Sequence, residues 1–159
     1  MPTHKINQID FSDQPFYIGL DVHKKSWNVT VRTSGLEVEN FTQPPDAFQL
    51  ARHLKNKFRN ADFISAYEAG FCGTSIHRCL CDVGIKNIII HPGDLPSTDK
   101  LRQNKTDLHD SRAIAKYLEG NLLKSIYIMP VDQEERRSLF RCRQAKVKDL
   151  TRATNRLRG

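Results

Sequence analysis

Apolar and polar positions alternate with period two early in the chain and recur at three-to-four spacing later, which separates strands from helices. Phe16–Asp21, Trp27–Arg32 and Leu36–Phe41 read as three strands joined by tight turns. In the second of these, Trp27, Val29 and Val31 alternate with Asn28, Thr30 and Arg32. Ser34-Gly35 between the second and third is a two-residue hairpin signal. Pro44-Pro45 stops the sheet, and Asp46 is placed to cap a helix that runs to about Phe58. Its apolar stripe, Ala47, Leu50, Ala51, Leu54 and Phe58, has helical spacing.

Asp62–Glu68 then reads as a fourth strand, Thr74–Val83 as a second helix and Lys86–His91 as a fifth strand. The run Asn87-Ile-Ile-Ile90 is almost wholly apolar, as expected of a strand covered on both faces. Three meander strands followed by an α-β-α-β alternation imply an α/β fold, a mixed five-stranded sheet flanked by helices. His91–Lys105 is loop-like, and Thr106 can cap a helix over Asp107–Glu119 that ends at Gly120. Ser125–Met129 reads as a short extended piece ended by Pro130. From Asp132 onward one long helix is expected, with a narrow apolar seam of Leu139, Val147, Leu150, Ala153 and Leu157 that suits a partner helix.

Charge changes this picture at one end only. The chain of 159 residues carries a net charge of +7, from 25 Lys+Arg against 18 Asp+Glu. Most of the excess lies in Arg136, Arg137, Arg141, Arg143, Lys146, Lys148, Arg152, Arg156 and Arg158, with Asp149 as the only acid among them. Such a stretch suits a polyanion, and nucleic acid is the expected partner. No apolar run approaches the ~18 residues of a membrane span, and Met1–Gln8 lacks the apolar core of a signal peptide. The expectation is a cytoplasmic protein with a flexible leader over 1–14, a catalytic domain over 15–129 and a basic helix over 130–159. The end at Gly159, inside that helix, suggests a piece of a longer protein. Cys72, Cys79, Cys81 and His77 invite a zinc reading, but Ile76, Cys79, Leu80 and Val83 form the expected buried stripe and turn Cys81 away from Cys79. Free thiols in a reducing compartment are the better account.

Four acids stand where strand or helix ends carry them toward one point. Asp21 closes the first strand, Glu68 closes the fourth, and Asp107 and Asp110 are about 60° apart around the same helix. Two carboxylates ~4 Å apart repel by roughly 4 kcal/mol at an effective dielectric near 20, so gathering four requires a cation. Oxygen-only ligands suit Mg²⁺ or Mn²⁺, and that chemistry acts on phosphates. His23 and Lys24 beside Asp21, and Lys105 before the acid pair, are candidates to meet phosphate, with a charged turn as the plainer account of the first two. His109 lies about 100° around the helix from Asp110 and further still from Asp107, and is a poor ligand. Tyr67 reads as core.

The motifs Ile18-Gly-Leu-Asp-Val-His-Lys24, Tyr67-Glu-Ala-Gly70, Lys105-Thr-Asp-x-x-Asp110 with Ala113-x-Ala115, and Arg152-x-x-Asn-Arg-Leu157 resemble those of the DEDD transposases of the insertion-sequence-110 family. The resemblance runs in order from Phe16 to Gly159. It implies an RNase H-like, RuvC-like domain in which Asp21, Glu68, Asp107 and Asp110 hold divalent metal and cut and rejoin DNA. It also implies oligomers, dimeric or tetrameric, guided by a structured RNA from the element. Family members carry a further domain with a nucleophilic serine, which nothing here matches. Lys24, Lys105, Arg136, Arg137, Arg141, Arg143, Lys146, Lys148, Arg152 and Arg156 are then the residues expected to meet nucleic acid. Three rivals remain: a Holliday-junction or RNase H-like nuclease, an actin-like kinase or ATPase, and a non-catalytic binding and dimerisation module. The kinase needs a glycine-rich phosphate loop after Asp21, and none follows.

Overall fold

A computed structural model describes residues 10–95 and 107–158, with side chains from 110 onward in the second stretch. It forms two compact units, one ending at Ile126 and the other beginning at Tyr127. In the first, β1 (Pro15–Val22), β2 (Trp27–Thr33), β3 (Leu36–Gln43), β4 (Asp62–Glu68) and β5 (Lys86–Ile90) make one sheet. Helices α1 (Ala47–Lys57), α2 (Ser75–Asp82) and α3 (Asp107–Glu119) accompany it. The strand order is β3-β2-β1-β4-β5. β1 pairs antiparallel with β2 and parallel with β4, and β4 pairs parallel with β5. That mixed sheet, antiparallel in its first strands and parallel after, is the one expected from the sequence.

Local signals account for most boundaries. Ser34 and Gly35 both take positive φ, as a two-residue turn between β2 and β3 requires. The Asp46 carboxylate accepts from the amides of Phe48 and Gln49 at 2.8 and 3.1 Å, which caps α1. Thr74, by contrast, makes no side-chain cap for α2. Phe11 lies before the expected catalytic domain, among the leader residues, yet its ring meets Phe16 and Phe58 edge-on. Ser125–Met129 forms no strand, and the Ile126 amide donates to Ile89 O at 2.8 Å. Thr106 and most of the segment before it lie outside the described residues.

The stripe expected on α2 needs correction. Leu80 is buried, but Cys79 is exposed and Ile76 and Val83 are only half-buried. The inner face instead carries His77, whose Nδ1 accepts from Asn87 Nδ2 at 2.9 Å, while Asn87 Oδ1 accepts from Ser65 at 2.8 Å. Burial, followed by the nearby Arg78 charge, lowers the His77 pKa, consistent with a neutral ring that accepts at Nδ1. All four cysteines are free.

On one face of the sheet Phe16, Ile18, Leu20, Val29, Leu50, Leu54, Leu80 and Ile89 are fully buried. On the other, Ala66, Ile90, Ile114 and Leu118 form a second cluster beneath α3. Full burial of such a side chain contributes ~1.5–3 kcal/mol. Gly19 decides how close α3 can come. A Cβ at that position would collide with the Ser111 carbonyl and the Ala115 amide, so only hydrogen fits between strand and helix. Above it, Ser111 Oγ and Thr30 Oγ1 share a buried hydrogen bond of 2.9 Å, and Asn40 donates to Thr30 Oγ1 at 2.6 Å. At the far end of α3, the Glu119 carboxylate accepts from Arg32 Nε at 2.8 Å and from the Gly35 amide at 2.6 Å.

Gly19→Ala is therefore expected to cost about 3 kcal/mol, because the obstacle is backbone that cannot rotate away. Ser111→Ala should cost only ~1 kcal/mol, since Thr30 keeps its Asn40 partner. Chemical denaturation of the two variants checks the ordering, and equal losses would refute the close approach of strand and helix.

Candidate active site

Strand periodicity selects which side chains share the α3 face. Positions 17, 19 and 21 of β1 point the same way, and Gly19 faces α3, so Asp21 does too. The parallel register pairs Gly19 with Ala66 and Leu20 with Tyr67. One step further sets Asp21 beside Glu68 at the carboxyl ends of adjacent strands. Open α/β sheets bind ligands beyond such ends. Asp110 immediately precedes Ser111, the residue locked to Thr30, and so is held over the same edge.

The three acids line one cavity of about 120 Å³, together with Leu20, Val22, Ala69, Gly70 and Ile114. Asp107 heads α3, three residues before Asp110, and its side chain lies outside the described residues. The carboxylates border a common space without closing on one point: among the described residues, no three acidic, His or Cys groups form a ligand cluster. As a donor set, carboxylate oxygens around a small polar cavity fit a hard divalent ion.

The sequence makes His23 part of a charged turn, yet its Nε2 lies 3.0 Å from Asp21 Oδ2. The hairpin makes this possible, because the His23 amide donates to Ser26 O and folds the ring back over β1. A period-two strand followed two residues later by a ring nitrogen is the signal that points to it. Lys24 sits in the same turn, its ammonium 5.7 Å from the centre of the Phe71 ring. Tyr67 is wholly buried, as expected, and burial pushes its pKa well up. Lys105 lies outside the described residues.

The second unit holds α4 (Val131–Arg158), and none of its residues is buried. Arg136, Arg137, Arg141, Arg143, Lys146, Lys148, Arg152 and Arg156 are all exposed. Arg152 comes within 3.7 Å of Asp149, one turn before it. The expected seam residues Leu139, Val147, Leu150 and Leu157 are exposed as well.

Known proteins share features with this chain. A family model for the DEDD transposases of insertion sequence 110 matches residues 18–159. The transposase for insertion sequence element IS1533 of Leptospira borgpetersenii is 29% identical over 147 residues, covering 89% of this chain and 42% of that protein. The chain thus spans about two fifths of the length of curated relatives it matches. Among solved structures, Thermus thermophilus RuvC in complex with a Holliday junction substrate aligns with a TM-score of 0.48 at 11% identity, over 70% of this chain and 99% of that one. A second RuvC structure from the same organism gives 0.45 over the same shares.

Removing one of the gathered charges should help the metal-free protein. With divalent ions chelated, Asp110→Asn is expected to gain roughly 1 kcal/mol of stability. Thermal melts in EDTA check this, and a melting point that is unchanged or lower would contradict the crowding of charge inferred from the cavity.

Proposed function

The chain belongs to the DEDD transposases of the insertion-sequence-110 family, and on that premise we propose that its carboxylate cavity carries out phosphoryl transfer on DNA during transposition. The observation that supports this most directly is the meeting of Asp21, Glu68 and Asp110 around one small cavity at the strand ends. These three, with Asp107, would hold Mg²⁺ or Mn²⁺. When bound, such ions offset the charge of the scissile phosphate and acidify the attacking hydroxyl or water.

The protein's own part is positional. His23 holds one oxygen of Asp21, which fixes the rotamer that points into the cavity. Ser111, locked to Thr30, holds the α3 backbone that presents Asp110. At about 120 Å³ the cavity is of a size for a phosphate and its ions. The carboxylates act as ligands, not as proton-transfer groups. Lys24 and Lys105 would meet flanking phosphates. The basic α4 would run along nucleic-acid backbone, a guide RNA from the element in this reading, within a dimer or tetramer.

Two outcomes test the reading. In the complete transposase, Asp21→Asn is expected to reduce metal-dependent strand cleavage by at least ~10³-fold while DNA binding stays within about twofold. Cleavage that persists at the wild-type rate refutes the site. Neutralising Arg136, Arg137, Arg141 and Arg143 together should flatten the salt dependence of duplex binding by ~0.9 in slope for each phosphate no longer neutralised. A slope that does not move would show that α4 lies away from the nucleic acid.

A further inference from the structure

The outer face of α1 carries charge that the fold does not use. Arg52 and Lys55 are exposed and lie about 60° apart around the helix, opposite the buried Leu50 and Leu54. Arg59, also exposed, follows just past the C-cap residue Phe58. Among the described residues, neither guanidinium has a hydrogen-bond or ion-pair partner. Lys55 Nζ donates to Val83 O at 2.7 Å, and an ammonium with three donors keeps two more for a ligand. Lys57 belongs to another face, where Glu39 answers it at 2.8 Å.

No acid offsets these charges from within α1, which contains neither Asp nor Glu. Beyond it, Asp10 accepts from Asn60 Nδ2 at 3.0 Å, and Asp62 stands 3.8 Å from Lys86 Nζ. The carboxyl end of α1 adds only about half a negative charge, against three full cations. A helix face left to water ordinarily intersperses both signs. Here one sign stands alone. Lys55 and Arg59 also border a cavity of about 300 Å³, with Asn60, Ala61, Phe63 and Gly84. That is more than twice the volume of the carboxylate cavity, and it has room for a phosphate together with its sugar.

Spacing points to the shape of the partner. From Arg52 to Arg59 the chain advances ~10 Å at 1.5 Å per residue. One strand of a duplex passes a phosphate every ~3.4 Å along its axis, so that length faces about three. We propose that Arg52, Lys55 and Arg59 form a second docking surface, which takes the phosphate backbone of a nucleic-acid duplex along α1. The Phe58 ring lies 4.4 Å from that of Phe16, so the end of α1 covers the sheet face that Phe16 shares with Ile18 and Leu20. The carboxylates stand on the opposite face, with Gly19 and α3. A duplex on α1 is therefore not the segment being cut. This goes beyond the phosphoryl-transfer reading and needs no metal.

The test titrates the full 159-residue chain onto short fluorescein-labelled duplexes, one of DNA and one of RNA, in EDTA at several salt concentrations. Arg52→Gln with Arg59→Gln should flatten the slope of log affinity against log salt by ~1.8 on the duplex that α1 takes. Arg52→Lys with Arg59→Lys should keep the wild-type slope, because the contact is one of charge. Lys55 is left in place, since its bond to Val83 O also ties α1 to the end of α2. Both double variants should melt with wild type, so a changed slope cannot come from unfolding. The duplex that shows the flattening, DNA or RNA, identifies the partner. An unchanged slope on both duplexes overturns the proposal, and so does equal flattening by the Gln and Lys pairs. The Gln pair should flatten the slope just as much when Arg136, Arg137, Arg141 and Arg143 are already neutralised. No further change in that background would mean that α1 has no contact of its own, and would also overturn it. With divalent ions chelated, these outcomes leave the metal site to its own test.

Discussion

The fold's chemistry depends on how near a helix can lie to a strand. At Gly19 the α3 backbone comes so close that no side chain fits, and the Ser111–Thr30 hydrogen bond fixes the helix there in both rotation and height. Asp110 is adjacent to Ser111 and Asp21 is two residues from Gly19 on the same face, so this single approach sets where the two acids stand. Glu68 needs no such device, because parallel pairing of β1 and β4 delivers it to the same edge. Backbone register sets Asp21 beside Glu68, and the steric limit at Gly19 brings Asp110 to them.

The cost of the arrangement is electrostatic and falls at the carboxyl ends of the strands. The apolar clusters on both sheet faces, and the Glu119 clasp on Arg32 and Gly35, hold α3 down against that repulsion. A site that is unfavourable when empty and supported from elsewhere is the usual relation between stability and function. His23 fits the same scheme, since a ring nitrogen 3.0 Å from Asp21 steadies a carboxylate whose neighbours are also acids.

Much of this is legible in the residues. The Asp46 cap, the Ser34-Gly35 turn and the period-two strands are local signals, decided by hydrogen bonds within a few residues, and they appear where expected. The order of strands follows from the switch between hairpins and crossovers. What escapes a sequence are features decided between elements. Gly19 looks like any strand glycine until the helix across from it is known. The face of α2 departs from its apolar periodicity because a polar triad of His77, Asn87 and Ser65 turns inward where Cys79 is expected. The hydrogen bond from the Ile126 amide to Ile89 O of β5 is likewise invisible in the run 125–129, which reads only as extended.

Function stands or falls on whether Asp21, Glu68 and Asp110 share one divalent ion. Anomalous diffraction from crystals of this chain grown with Mn²⁺ and a short DNA strand tests it most directly. The expected result is a peak bounded by those three side chains, with oxygen ligands at about 2.1 Å. Manganese bound elsewhere on the protein, with that cavity empty at saturating concentration, would contradict it.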